Sequence, residues 1–288
     1  MTRDYYYTVD TNGNLWLDSV LQDDPNFLDY FFRRIAPVAT DHYPDFPYVS
    51  RCGNEMNYVR PADTPIVFNR FDGTKLYYAG SLNVMFRPDK LYYTGDGVLY
   101  HAAPVGGVGR LVPQIAMDLA GNIEPWGPWY AYRKNDRCVV PILRLDQADN
   151  YTVLWPKDES QCIACGGNNP HGFGLTFFFD TYAGEVFSFV RPTVRMQGSL
   201  NIVHGGFVSL LLDETMGKCL SVQGVRAPTA QLNVRFHKPM LIGTEYRLRA
   251  RITEQRGRKN LVHGEIRLGD DPSVLIAEAS ALFITLQN

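Results

Sequence analysis

The 288 residues carry 28 lysines and arginines against 30 aspartates and glutamates, a formal charge of -2. That balance excludes a chain drawn to nucleic acid or to an anionic membrane by bulk charge. Hydrophobic residues at 45% and charged residues at 20% fit a soluble globular chain of about two domains, and no run reaches the ~18 apolar residues of a membrane span. The opening MTRDYYYTVD has no apolar core of a secretory signal. The five cysteines (Cys52, Cys138, Cys162, Cys165, Cys219) are odd in number and irregular in spacing. Together these point to a reducing, cytoplasmic compartment rather than a disulfide framework.

In chain order, YYYTVDTNGNLWL alternates around Asn12-Gly13, which predicts a hairpin. In DDPNFLDYFFRRI, Asp24 is placed to cap a helix whose first residue is Pro25, with Phe27, Tyr30 and Phe31 on one face and Ile35 extending the stripe. PIVFNRF, KLYYAG and LNVMF are short strand-like runs bounded by Gly, Pro or Asp. Residues 1–150 are therefore expected to form a mostly antiparallel, β-rich α+β domain with one helix. His42, Cys52, His101 and Asp118 have no spacing that spells chemistry. GGVG at 106–109 lacks the Lys-Ser/Thr and the following helix of a phosphate loop, so it reads as a turn. The charged, Pro-containing LDQADNYTVLWPKDESQ marks a boundary, with a second domain over 160–288.

That second part is more regular. GLTFFFD and EVFSFVRP predict a hairpin. A helix is expected from about Gly205 to Val222, followed by four strands in TAQLNVRFHKP, EYRLRARITEQ, NLVHGEIRL and VLIAEASALFITL. One helix cannot cover a broad sheet from both sides, so the sheet is expected to wrap it. Val208, Leu211, Leu212 and Thr215 form the apolar stripe of that helix. Gly206 and Asp213 are seven residues apart, hence on nearly the same face and roughly 10 Å apart along the axis. A helix start has unpaired N–H groups and a dipole that favours negative charge, and glycines there allow close approach. The pattern is an oxyanion site two turns from a carboxylate. Glu214, one step round, reads as solvated or paired, and His204 as a residue that fixes the loop before the helix. Cys162-x-x-Cys165, with His171 six residues on, falls short of the four ligands of a structural zinc site. It reads as a tight turn at the domain entry, with no metal.

His204-Gly205-Gly206, Asp213 nine residues after the His, LNVRFHKPMLIGTEY and the leading CIACGGNNPHGFGLTFFF together resemble the PaaI-type hotdog acyl-CoA thioesterases, closest to the long-chain branch. The resemblance covers about Cys162 to Asn288. It implies an α+β hotdog domain, a sheet wrapped round one helix, with Asp213 as the acid and Thr229, sixteen residues on, assisting it. It implies an oxyanion donor at Gly205 or Gly206, with Gly206 preferred and His204 and Gly205 at the substrate. Some relatives carry an Asn six residues before the His. Here that position is Gly198, with Asn201 or Gln197 as stand-ins. The first half is similar to an uncharacterised family, through its YYYTVD opening and the block around Cys52-Gly53, and gains no activity from that likeness.

The expected function is hydrolysis of a medium- or long-chain acyl-CoA without metal or redox cofactor, by a homodimer or dimer of dimers. A non-catalytic acyl-CoA or lipid sensor is the alternative, separated by the need for Asp213. A hydratase ranks third, because no His follows Asp213 at about five residues.

Overall fold

The computed structural model describes residues 3–38, 43–135, 138–154 and 159–286. His42, the side chain of Cys138 and residues 155–158 of the expected boundary lie outside these. The chain groups into two compact units, 1–123 with 142–146, and 124–141 with 147–288. The sequence places the division near residue 151, whereas here residues 124–141 join the second unit.

In the first unit, β1 (Arg3–Val9), β2 (Leu15–Leu17) and β3 (Val20–Gln22) are followed by α1 (Pro25–Phe32), β4 (Ile35–Pro37), β5 (Tyr48–Cys52) and β6 (Glu55–Pro61). These strands form one sheet in the order β3-β2-β1-β6-β5-β4. The hairpin at Asn12-Gly13 is present, with Tyr7 opposite Leu17 and Gly13 at φ +86°. The Asp24 carboxylate accepts from the Phe27 N–H at 2.7 Å and Pro25 opens α1, as the capping residues require. Fully buried Phe31 packs against Tyr7, ring centroids 4.9 Å apart. Next come β7 (Val67–Phe68), β8 (Arg70–Phe71), β9 (Lys75–Tyr78), β10 (Leu82–Met85), β11 (Leu91–Tyr93), β12 (Leu99–Ala102) and β13 (Val108–Leu111).

Two features depart from the sequence reading. β1 pairs with β6 in parallel, Tyr7 opposite Val59. A second helix, α2 (Pro113–Ala120), follows β13 and carries Asp118, which accepts a hydrogen bond from Gln114. Pro113 at its first turn was the available signal; Val112 provides no capping side chain. His101 is buried, its Nε2 facing the Arg87 N–H at 3.0 Å.

The second unit contains β14 (Ile123–Trp126), β15 (Trp129–Asn135), β16 (Cys138–Arg144), β17 (Tyr151–Leu154), β18 (Phe177–Asp180), β19 (Glu185–Val190), α3 (Gly205–Val222), β20 (Thr229–Phe236), β21 (Tyr246–Arg256), β22 (Lys259–Leu268) and β23 (Leu275–Ile284), although the first residue of β14 and the end of β16 group with the first unit. The last seven strands run β17-β18-β19-β21-β22-β23-β20, every pairing antiparallel. This is the expected hotdog: α3 lies on one face with Val208, Leu211, Leu212, Thr215, Met216, Cys219 and Leu220 buried. Ala277, Ala279, Ala281 and Gly264 face it, small enough for a close helix approach. The opposite face carries Phe178, Phe187 and Phe189, covered by Trp126 and Trp129 at centroid distances of 5.0–6.2 Å. That aromatic layer is why residues 124–141 belong with this unit. No helix among the described residues is long and apolar enough to cross a membrane.

Candidate active site

α3 begins at Gly205, as its residues predict, with His204 as its cap. The His204 Nδ1 accepts from the Gly206 N–H at 2.9 Å. A histidine takes the place of the usual Ser or Asp, and the bond leaves the proton of a neutral ring on Nε2. A Cβ at Gly206 would sit 3.0 Å from His204 Nδ1, so a larger residue there would press the capping ring back by a few tenths of an ångström. At Gly205 a Cβ would meet only Phe236, at 3.6 Å. His204, Gly205 and Gly206 are all exposed, and among the described residues no acceptor takes the Gly205 N–H. The free donor of the helix start is thus Gly205; the Gly206 N–H is occupied by the cap.

Two turns along, Asp213 is half-buried. Its Oδ1 accepts from the Thr229 hydroxyl at 2.7 Å. Strand alternation alone would not aim Thr229 there. Leu232 and Val234 of β20 pack inward against the core, which by alternation turns position 229 outward. The pairing of β20 with β23 slips between Thr229 and Gln231, leaving Ala230 as the extra residue of a bulge. The bulge reverses the alternation and turns Thr229 toward the helix. β20 is also the outermost strand of its sheet.

The expected stand-ins for the missing Asn serve the loop before α3. Asn201 is exposed at φ +60°, a left-handed turn that asparagine tolerates, and its N–H donates to the Gln197 side-chain oxygen at 3.2 Å. A Cβ at Gly198 would lie 3.0 Å from the His204 Cα, so a larger residue there has to shift the loop by a few tenths of an ångström.

One cluster was not legible beforehand. Glu214 pairs with Lys218 at 3.1 Å, both more than three-quarters buried, and also receives Cys162 Sγ at 3.7 Å. Lys218 donates to Cys165 Sγ at 3.0 Å. Burial, then the neighbouring Glu214, pushes the Cys165 thiol up to about 12. Burial alone would lower Lys218, but Cys165 and Glu214 outweigh it and hold its ammonium above the usual range. The spacing of 214 and 218 was a salt-bridge signal, and Cys162-x-x-Cys165 stood out as a motif, but nothing in the sequence joined the two, 52 and 53 residues apart. A cleft of about 540 Å³ beside Trp126, Phe173, Arg191, Arg195 and Met196 is not lined by Gly205, Asp213 or Thr229.

Residues 200–275 match the thioesterase superfamily, and residues 1–128 match a domain of unknown function, DUF4505. Mouse acyl-coenzyme A thioesterase THEM4 is 32% identical over 115 residues, 40% of this chain and 49% of that protein. The chain thus spans about half the length of this curated relative. An uncharacterised protein of Schizosaccharomyces pombe, C26H8.11c, is 36% identical over 148 residues, 49% of this chain and 85% of its own. Among solved structures, a thioesterase superfamily protein, RHA08564, is 28% identical with a TM-score of 0.40, covering 43% of this chain and 60% of that one. The PaaI protein of E. coli is 18% identical with a TM-score of 0.34, covering 36% and 75%.

Proposed function

We propose that this chain, which belongs to one family with the fission-yeast protein C26H8.11c and whose residues 200–275 are a thioesterase-superfamily domain, hydrolyses a medium- or long-chain acyl-CoA to free acid and CoA. The observation that carries the reading is the carboxylate of Asp213 held by Thr229 at 2.7 Å on the same helix as a capped, glycine-rich start. Asp213 takes a proton from water, or attacks the thioester carbon directly. Thr229 fixes one carboxylate oxygen and leaves the other for the water. The Gly205 N–H receives the charge that develops on the carbonyl oxygen. The Gly206 N–H, taken by His204, supports the geometry of that donor instead.

Gly205 and Asp213 are two turns apart on one helix, about 10–12 Å along the axis, too far to act on one thioester carbon through one water. β20 offers an open edge beside Thr229, and an open edge invites pairing. In a homodimer, or a dimer of dimers, Asp213 and Thr229 of one protomer serve the helix start of its partner, giving two shared sites. Cytoplasmic residence is part of the same reading.

The test uses thiol release from an acyl-CoA panel. Asp213→Asn lowers kcat by about 10²–10⁴ with the fold retained, and Gly205→Pro is likewise inactive. After subunit exchange between the two variants, verified by mass, activity returns because one interface holds an intact pair. An Asp213→Asn protein as active as the parent ends the catalytic reading and leaves a ligand-binding module. Exchange without recovery ends the shared site.

A further inference from the structure

We propose that Cys162, Cys165 and Glu214 form a binding site for a thiophilic dication, zinc being the first to test. The two sulfurs and a Glu214 oxygen lie within 4.8 Å of one another. Cys162 Sγ and Glu214 Oε2 are 3.7 Å apart. Tetrahedral zinc, at about 2.3 Å from sulfur and about 2.0 Å from oxygen, would set that separation near 3.5 Å. That pair needs only a small contraction; the other separations, up to 4.8 Å, must close by up to about 1 Å to reach the ~3.5–3.8 Å of a tetrahedral site.

The backbone is arranged for it. The Gly166 N–H donates to the Cys162 carbonyl at 2.9 Å. A Cβ at Gly166 would sit 2.5 Å from Cys162 N and Ser160 O, so the turn closes only with glycine. This turn holds both thiols over the helix face that carries Glu214. Cys165 is buried and Cys162 half-buried, which limits access by water.

Lys218 completes the electrostatics. It holds Glu214 through Oε1 while Cys162 faces Oε2, so the ammonium and the ion use different oxygens. The Lys218 amine also donates to the Cys165 sulfur at 3.0 Å, so it stands as an outer partner to a ligand of the ion. Three protein ligands leave a fourth position for water. The ion would clip the entry loop to α3 one residue from Asp213. This inference does not depend on the thioesterase reading.

The full chain, purified under reducing conditions and stripped with chelator, is titrated with cobalt(II) and zinc(II). One equivalent of cobalt should bind with a thiolate-to-metal charge-transfer band, and zinc should displace it. The Cys162→Ser/Cys165→Ser variant should lose the band, and Lys218→Met should bind about 10–100-fold more weakly. Zinc should also protect Cys162 and Cys165 of the parent from alkylation, read by mass spectrometry. Absence of the band in the parent, its survival in the double variant, or equal alkylation with and without zinc overturns the proposal. The parent measurements decide the matter even where the variant fails to fold.

Discussion

A carboxylate on a largely apolar helix is costly unless something holds it, and here a threonine hydroxyl does, at 2.7 Å. A hydrogen bond to a charged group contributes about 1.5–3 kcal/mol where it is dry, and less where water competes. Thr229→Val should therefore lower kcat by about tenfold, or about 1.4 kcal/mol, just under the dry value because the bond is exposed, with KM little changed, while Thr229→Ser stays near the parent; thiol-release kinetics on all three proteins separate these outcomes. Equal rates for Val and Thr would show that the hydroxyl neither orients the carboxylate nor the water. Asp213 was visible in the sequence because a charge interrupts an apolar stripe nine residues after His204. The allocation between the two glycines was not, because it turns on which N–H the His204 ring accepts from, a choice of rotamer rather than of spacing.

At the scale of elements, the helix and the strands of the second unit follow from residue pattern: period 3.6 over Gly205–Val222 and long runs of alternating burial after it. What pattern does not supply is how closely α3 lies on the sheet. That is set by Gly264, where a Cβ would meet Met216 Cγ at 2.9 Å and Sδ at 3.2 Å. Gly264→Val should cost about 1–3 kcal/mol by overpacking, measured as a lower midpoint in urea, and Met216→Ala in the same chain should return part of the loss because the two sites share one space. Additive losses would mean that helix and strand separate instead of clashing. In the first unit, the parallel pairing of β1 with β6 was hidden because a hairpin signal reports only the neighbour across the turn. α2 was hidden because, at eight residues, its apolar positions barely complete a repeat.

For the molecule as a whole, the division of the chain is the clearest departure from the sequence reading. A compositional boundary near residue 151 reflects charge and proline; the packing boundary reflects where Trp126 and Trp129 are buried, each 7% exposed. The two criteria disagree because surface composition does not report which sheet an aromatic side chain covers. A fragment beginning at Glu124 should be soluble and fold cooperatively, and one beginning at Ser160 should aggregate, since it bares Phe178, Phe187 and Phe189 together. Size-exclusion chromatography and thermal melts of the two fragments check this. A monodisperse, cooperatively melting Ser160 fragment would mean that the aromatic cover is dispensable.

The bulge at Ala230 makes the meeting of Asp213 and Thr229 a matter of counting. One residue more or fewer between Thr229 and Leu232 swaps the sides of the strand, as a single inserted letter shifts a reading frame. Deleting Ala230 would keep every group with chemistry in the polypeptide and yet point the hydroxyl away from its acid. The deletion protein should fold, keep its melting temperature within a few degrees, and turn over no faster than Thr229→Val. Full activity in it would show that the hydroxyl reaches Asp213 by some route other than the strand's parity.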